Sequence, residues 1–279
     1  MGSLDGATVI ASETCALDIM GARYEREIEP GEILEISIDG RRRSIKPLPK
    51  KELRRCVFEH VYFSRPDSIV FGGSVEAARR ALGHRLAREC PAPQAELVFS
   101  VPDSSNSAAL GFAEESGLPF EFALIRNHYV GRTFIQPSQA DRNAKVRVKY
   151  NAVRRLLEGK SVVMVDDSIV RGTTTRGLVS MVRAAGAREV HMRVSSAPIT
   201  GPCYYGIDTP NREELIAARL SVDEIAVSLG VDSLGYLSIP GMLGSMPGGP
   251  HGFCDACFSG DYPTPPPTDP DKLRFGCGC

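Results

Sequence analysis

The sequence predicts an α/β fold in which a parallel β-sheet is flanked by helices. From residue 56 onward, short apolar strand patterns alternate with amphipathic helix patterns. This order is typical of parallel strands joined by right-handed helical crossovers. One of the strands, VVMV at residues 162–165, runs directly into two aspartates. Because parallel sheets bind ligands at the carboxyl ends of their strands, a polar site is expected there.

The predicted elements of this region follow in order along the chain. Residues 74–89 show the 3.6-residue period of a helix, with Ser74 as its N-cap. Further helices are expected at residues 107–116, 145–158 and 174–185, and strands at residues 96–101, 122–125, 162–165 and 190–195.

The two ends of the chain have a different character. Residues 8–11 and 33–37, with a Pro-Gly turn at 30–31, predict short antiparallel strands that cannot bury a core alone. The basic stretch at residues 41–55 predicts a linker that contains the start of a helix. Residues 240–279 are rich in Gly and Pro and predict a segment whose last residues are disordered.

Composition excludes several classes of protein. The 279 residues have room for one large domain, or for one domain and a fragment of another. The net charge of −1 gives no general attraction to nucleic acid or to an anionic membrane. No apolar run approaches the roughly 20 residues of a membrane span, and the N-terminus lacks a signal-peptide pattern. The eight cysteines are too widely spread for a secreted disulfide scaffold. We therefore expect a cytoplasmic protein whose cysteines bind metal or are buried.

Asp166 and Asp167, after the strand at residues 162–165, are the first candidates for chemistry. One carboxylate can accept hydrogen bonds from the vicinal hydroxyls of a sugar, and the other can bind Mg²⁺ or its water ligands. Taken alone, an Asp-Asp pair is as typical of a capping pair or of a Mg²⁺ pocket of the response-regulator type as it is of a sugar phosphate site.

The residues that follow complete a pattern for a sugar phosphate. Arg171, Gly172 and the three threonines at 173–175 open the next expected helix. Free N–H groups, hydroxyls and the positive helix end form a phosphate cradle, and Gly172 lets the backbone approach the anion. With hydroxyls on the aspartates and phosphate on the turn, a ribose 5-phosphate fits.

The string VVMVDDSIVRGTT, residues 162–174, resembles the phosphoribosyl diphosphate (PRPP) signature of type I phosphoribosyltransferases. Its SIVRGTT form is similar to that of the glutamine PRPP amidotransferase family. The resemblance extends from residue 11 to residue 258, and four more strings are similar to that family in the same order: FEHVYFSRPDS (58–68), VPDSSNSAALGFA (101–113), YVGRTFIQPSQ (129–139) and CYYGIDTP (203–210).

The resemblance implies a type I phosphoribosyltransferase fold at residues 59–240. The last strands of a truncated Ntn-hydrolase sandwich would precede it at residues 1–45, followed by a linker at 46–58. Residues 241–279 would be a C-terminal segment with cluster cysteines and a loose tail. The family's glutaminase half uses an N-terminal cysteine as nucleophile, and no residue in 1–45 can fill that role. We therefore expect no glutaminase activity in this chain.

The resemblance also implies the activity of an amidophosphoribosyltransferase, a pentosyltransferase of de novo purine biosynthesis. Ammonia rather than glutamine would attack PRPP, giving 5-phosphoribosylamine and diphosphate. The alternatives are a catalytically silent PRPP-binding regulator or scaffold, and a base-salvage transferase, which has no reason for four cluster ligands. Purine nucleotides as inhibitors and a homo-oligomer are further implications, and no nucleic-acid or membrane partner is expected.

Carried over residue by residue, the resemblance assigns magnesium to Ser104, Asp166 and Asp167.

The basic stretch at residues 126–149 resembles the family's mobile loop that closes over PRPP, although such a charge run alone is more typical of a solvated face. The expected contacts of this loop are Tyr129, Arg132 and Lys149. Ser105 stands where the family usually has glycine. The residues implied to bind the phosphoribosyl group are Ser168, Arg171, Gly172, Thr173, Thr174 and Thr175.

Four cysteines form the second candidate site. Cys254 and Cys257 make a CxxC pair, which alone is ambiguous between zinc, redox and iron–sulfur chemistry. Cys56 and Cys203 are two more candidates. In the iron–sulfur branch of the family, cysteines at these four matching positions hold a 4Fe-4S cluster. The resemblance thus implies Mg²⁺ and a 4Fe-4S cluster as cofactors, the cluster with a structural or oxygen-sensing role.

Overall fold

The computed structural model describes residues 1–128, 148–209 and 211–266. Its helices are α1 (Thr14–Met20), α2 (Val75–Glu89), α3 (Asn106–Ser116), α4 (Arg154–Leu157), α5 (Thr173–Ala184), α6 (Val222–Leu229), α7 (Ile239–Gly244) and α8 (Ala256–Ser259), with a π-helical turn at Glu59–Phe63 and 3₁₀ turns at Arg212–Glu214 and Ile216–Ala218. Its strands are β1 (Gly2–Leu4), β2 (Ala7–Val9), β3 (Arg23–Tyr24), β4 (Ile33–Ile36), β5 (Arg42–Ile45), β6 (Arg55–Cys56), β7 (Ile69–Val70), β8 (Gly73–Ser74), β9 (Leu97–Ser100), β10 (Leu124–Arg126), β11 (Tyr150–Ala152), β12 (Ser161–Asp166), β13 (Glu189–Val194), β14 (Ser233–Tyr236) and β15 (Phe253–Cys254).

A four-stranded parallel sheet in the order β14-β13-β12-β9 forms the centre of the molecule. The strands expected at 96–101, 162–165 and 190–195 are confirmed as β9, β12 and β13. The fourth strand, β14, was not predicted. The parallel sheet flanked by helices agrees with the predicted fold class.

Each face of the sheet carries its own hydrophobic core. On one face, Val163 and Val165 of β12 belong to a buried cluster with Leu86 of α2 and Phe112 of α3. On the other face, Met164 packs in a second cluster with apolar side chains of α5 and α6. Burial on both faces explains why the sequence of β12 is an unbroken apolar run rather than an alternating one.

None of the helices in the described part of the chain is long and apolar enough to cross a bilayer.

Three predicted helices are confirmed, and one is wrong. Helix α2 begins after Ser74, whose hydroxyl accepts a hydrogen bond from the backbone N–H of Ala77. The helices α3 and α5 lie within one residue of their predicted bounds. Residues 145–158 were expected to be one helix, but in their described part strand β11 separates the helical residues 148–149 from the four-residue α4. Strand β11 pairs antiparallel with β10, a long-range partner that local helix propensity does not reveal.

The N-terminal region is built from small antiparallel sheets. Strand β2 pairs with β1, and β4 pairs with β5, so the strands expected at 8–11 and 33–37 exist but have other partners. The predicted helix start within residues 41–55 is wrong, because β5 and β6 occupy its two ends. Strand β6 pairs in parallel with β15 and aligns Cys56 with Cys254.

His60 makes the stability of this fold sensitive to acid. Its ring is fully buried, with centroids 5.8 Å from Phe71 and 6.0 Å from Phe253. Burial lowers the pKa of His60 to about 4 from an ordinary value of 6.5. Between these values the unfolded chain binds a proton that the folded chain does not, so stability is lost as pH falls from about 6.5 to about 4.

We expect a His60→Phe variant to lose less of its free energy of unfolding than the wild type between about pH 7 and pH 4, by up to about 3 kcal/mol. Phenylalanine keeps an apolar ring between the two aromatic neighbours but has no titrating group. Urea unfolding at both pH values measures the difference. An equal loss in both proteins would show that His60 is not held neutral.

Candidate active site

A single pocket of about 420 Å³ collects the residues that the sequence predicted for sugar phosphate binding. It lies beyond the carboxyl end of β12, where open parallel sheets bind ligands. Asp166 and Asp167, at the end of β12, line this pocket. The turn at 171–175 lines it as well. They face one cleft, as a ribose 5-phosphate requires. Ser104 and Ser168 line the same pocket.

The aspartate pair is buried and surrounded by hydroxyl donors. Asp166 and Asp167 are only 8% and 6% exposed. Ser104 Oγ donates to Asp167 Oδ1 at 2.6 Å, and Ser168 Oγ donates to Asp167 Oδ2 at 2.8 Å. Ser105 Oγ lies 3.2 Å from Oδ1 of both aspartates. The backbone N–H of Asp167 donates to Asp166 Oδ1 at 3.0 Å.

Burial and mutual repulsion disfavour two negative charges on this pair when no cation is present. Burial, followed by the charge of Asp167, raises the pKa of Asp166 well above its ordinary value. Burial also raises the pKa of Asp167, although its three serine donors oppose the change. A bound cation would relieve the repulsion between two buried carboxylates.

The donor set fits Mg²⁺ brought in by a substrate. Within the described ranges, no group of three or more His, Cys, Asp or Glu side chains is placed to hold a metal ion. Mg²⁺ commonly binds through one or two carboxylates together with water and substrate phosphates, so it does not need a complete protein cage. Asp166, Asp167 and the Ser104 hydroxyl would supply the protein's share of such a site.

The turn before α5 has the backbone geometry of an anion cradle. Gly172 has a positive φ of 75° and is the N-cap residue of α5. The first N–H groups of this twelve-residue helix have no partner within the helix, and their dipoles favour an anion. Thr173 and Thr174 are exposed beside the pocket, whereas Thr175 is buried.

Two residues of this turn make contacts beyond their expected roles. A Cβ at Gly172 would lie 2.8 Å from Ile216 Cδ1. The glycine is therefore required by its left-handed backbone and by core packing, beyond any approach to an anion. Arg171 Nε donates to Glu214 at 2.7 Å, so this guanidinium must exchange a partner before it can reach a phosphate.

Ser105 is a functional candidate that the sequence reasoning treated only as a departure from the family. It is completely buried at the N-cap of α3, yet its hydroxyl makes no capping bond. The hydroxyl instead donates toward both aspartates. In the sequence, the signal for this role is a serine in the loop that opens α3.

Three other residues at the site were missed. Tyr62 and Tyr150 line the pocket, and burial raises the pKa of the Tyr150 phenol. Arg79 is 2% exposed and donates to the carbonyl oxygens of His60 at 2.8 Å and Ser64 at 2.7 Å. Its charge favours ionisation of Asp167. Arg79 looks like an ordinary charged residue of an amphipathic helix, so its pattern gave no signal.

The contacts expected from the closing loop are only partly described. Lys149 is exposed just before β11, and its carbonyl oxygen accepts a hydrogen bond from the backbone N–H of Asn127 at 2.7 Å. It is not among the residues that line the pocket. Tyr129 and Arg132 lie outside the described residues.

The four candidate cysteines line a second pocket, also of about 420 Å³. Pairing of β6 with β15 brings Cys56 beside Cys254, and α8 carries Cys257. Cys203 reaches the same pocket from a loop. The two pockets are neighbours, because both are lined by Phe58, Phe63, Ile199, Ile207 and Thr209.

The chemistry of this second pocket suits a thiolate-bound metal centre. Burial raises the pKa of Cys56 to about 11 and also raises the pKa of Cys254. Burial, followed by the three other sulfurs, raises the pKa of Cys257. Without metal these three thiols therefore stay protonated, and metal binding would release their protons. The side chains as described do not form a ready metal site, but four sulfur donors facing one pocket are the donor set that iron–sulfur clusters use.

Comparisons with known proteins give one consistent answer. Amidophosphoribosyltransferase 1, chloroplastic, of Arabidopsis thaliana is 54% identical over 262 residues, which are 94% of this chain and 46% of the relative. Amidophosphoribosyltransferase of Bacillus subtilis is 53% identical over 269 residues, which are 95% of this chain and 56% of the relative. The chain thus spans about half the length of the curated relatives it matches. No family model matches the sequence.

Solved structures agree with the sequence comparison. The allosteric regulatory enzyme of purine biosynthesis is 53% identical, with a TM-score of 0.84 over 92% of this chain and 56% of its own. Glutamine PRPP amidotransferase from B. subtilis, in complex with ADP and GMP, is 52% identical, with a TM-score of 0.84 over 92% of this chain and 57% of its own. The fold is that of type I phosphoribosyltransferases, and the chain belongs to the amidophosphoribosyltransferase family.

Proposed function

We propose that this chain forms 5-phosphoribosylamine and diphosphate from PRPP and ammonia, as a pentosyltransferase of de novo purine biosynthesis. The observation that supports this proposal most directly is the single pocket shared by the aspartate pair and the turn at 171–175. One end of the pocket offers acceptors for sugar hydroxyls, and the other offers donors for a phosphate. This polarity matches a ribose 5-phosphate.

In the proposed reaction the nitrogen lone pair of ammonia forms a bond to the anomeric carbon. The bond from that carbon to the diphosphate oxygen breaks, and its electron pair leaves with diphosphate. The attacking nitrogen then loses a proton to solvent. Mg²⁺, when bound, would neutralise charge on the departing diphosphate.

The chain's own residues orient the sugar for this reaction. Asp166 and Asp167 would accept hydrogen bonds from the ribose hydroxyls or hold the cation, with Ser168 keeping Asp167 in place. The N–H groups and hydroxyls at 173–175 would fix the 5-phosphate, and Ser104 would act on the diphosphate side. Holding both ends of the sugar makes attack effectively unimolecular once ammonia is present.

We also propose that Tyr129, Arg132 and Lys149 close over bound PRPP. Cations that approach after binding would favour the departing diphosphate and exclude water. The exposure of Lys149 outside the pocket agrees with a contact made only on closure.

The test is release of diphosphate from PRPP by anaerobically purified protein, with and without ammonium ions and Mg²⁺. We expect release that requires both. Binding of PRPP without release would instead support a silent PRPP-binding regulator or scaffold, and failure to bind PRPP would reject both functions.

The four-cysteine pocket is proposed to hold a 4Fe-4S cluster with a structural or oxygen-sensing role. We expect a Cys257→Ser variant to lose most of its bound iron and inorganic sulfide, because one of four thiolate ligands is removed. Iron and sulfide analysis after anaerobic purification measures the loss. Cys15→Ser is the control, since Cys15 lies outside this pocket. Equal iron in both variants would contradict a cluster at this site.

The remaining proposals concern organisation and partners. We propose that residues 1–45 are part of an Ntn-type glutaminase domain, that 46–58 is a linker, that 59–240 is the transferase domain and that 241–279 carries cluster cysteines. A homo-oligomer, a cytoplasmic location and inhibition by purine nucleotides are proposed as well. A solved relative that binds ADP and GMP supports the last of these.

A further inference from the structure

Tyr236 ends strand β14 at the same edge of the sheet as the proposed site. Asp166 is in register with Val194 of β13, and Val194 is in register with Tyr236. Residues in register on parallel strands project to the same face of the sheet. The phenol of Tyr236 and the carboxylate of Asp166 therefore share one face, separated by the valine between them.

The hydroxyl group of Tyr236 is buried without a hydrogen-bond partner among the described residues. Its ring packs against the hydrophobic core on the α5 side of the sheet. A buried hydroxyl that makes no hydrogen bond costs about 1–3 kcal/mol, so it needs a physical explanation. Ser196, just beyond β13, has a second buried hydroxyl in the same condition within the described ranges.

Asp166 has unused acceptor capacity. The hydrogen bonds that it accepts from the Ser105 hydroxyl and the Asp167 backbone N–H both fall on Oδ1. Oδ2 receives none from a hydroxyl or backbone donor in the described part of the chain, although the residue is only 8% exposed. Burial, followed by the charge of Asp166, raises the pKa of the Tyr236 phenol. The phenol thus stays a protonated donor within electrostatic reach of the carboxylate.

We propose that a buried water molecule joins the phenolic O–H of Tyr236 to Oδ2 of Asp166, and that Tyr236 is a positioning residue for the phosphoribosyl site. The phenol makes no direct hydrogen bond to the described residues, and a water can accept from the phenol and donate to the carboxylate. Tyr236 does not line the pocket, so it acts from behind the carboxylate. The positioning role rests on the proposed function, whereas the water does not.

A high-resolution crystal structure of the ligand-free protein tests the water directly. We expect an ordered water within hydrogen-bond distance of Tyr236 Oη and Asp166 Oδ2. The proposal is overturned if no ordered water lies between these two atoms, or if the phenol donates to a different acceptor. This result is independent of turnover, so it is decided even if the protein releases no diphosphate and the proposed function fails.

A Tyr236→Phe variant tests the positioning role. We expect the KM for PRPP to rise about threefold to tenfold, as for loss of one hydrogen bond, with kcat nearly unchanged and the unfolding midpoint lowered. Tyr24→Phe is the matched control, because Tyr24 is exposed on β3 and its loss should change neither value. An unchanged KM overturns the positioning role, and a raised midpoint overturns the water, since it would mean that the hydroxyl has no partner at all.

Discussion

An Asp166→Asn variant is expected to release diphosphate from PRPP with a kcat/KM lowered at least about 100-fold, comparable to the loss of one transition-state hydrogen-bonding group. Asparagine keeps the shape of the side chain but removes the charge that is proposed to hold the sugar hydroxyls or the cation. Ammonia-dependent diphosphate release measures the effect. Wild-type kcat/KM in the variant would reject the proposed role of this carboxylate.

The same variant is expected to be more stable than the wild type in the absence of ligand. Asp166 and Asp167 are adjacent, buried carboxylates, and removing one charge relieves both repulsion and desolvation. Thermal unfolding should therefore shift upward while activity falls, which separates a functional defect from misfolding. Asp18→Asn is the control, because Asp18 is exposed on α1 and its replacement should leave activity unchanged.

A Gly172→Ala variant is expected to lose about 2–5 kcal/mol of stability, from a left-handed backbone that costs about 1–2 kcal/mol and from overpacking that costs about 1–3 kcal/mol. The added methyl would lie 2.8 Å from Ile216 Cδ1. PRPP affinity should also fall, because the clash displaces the start of α5. Urea unfolding and PRPP titration measure the two effects.

An Ile216→Val background separates the two causes. Valine lacks the Cδ1 atom, so Gly172→Ala should cost about 1 kcal/mol less there than in the wild type, a coupling typical of residues in contact. The φ of 75° remains unfavourable in both backgrounds. Purely additive effects would show that the contact with Ile216 does not contribute to the loss of stability in Gly172→Ala. Gly244→Ala, with open space around its Cβ position, is the control and should be tolerated.

The sequence was most informative where one short stretch of chain contains most of the residues of the candidate site. Residues 162–174 form a buried strand, its terminal carboxylates and a helix-opening turn, and all of these features can be read locally. The structure adds that both parts share a pocket. The positions of the four cysteines came from resemblance rather than spacing, because Cys56, Cys203 and the CxxC pair are distant in sequence.

The sequence failed where distant residues decide the outcome. Strand β11 was predicted as helix because its pairing with β10 is not visible locally. Strand β14 has only four residues, none of them fully buried, so no strong apolar run marks it. Arg79 and Ser105 act through contacts with other segments. Such contacts leave no periodic signal in the chain.

The pairing of β6 with β15 has a consequence for biosynthesis. Cys56 is aligned with a cysteine almost 200 positions later, Cys254, and the ribosome adds only about 5–20 residues per second. The four sulfurs cannot meet until nearly the whole described chain has emerged. Iron delivery to the proposed cluster would therefore have to wait until Cys257 has emerged, on a polypeptide whose central sheet has already had time to assemble.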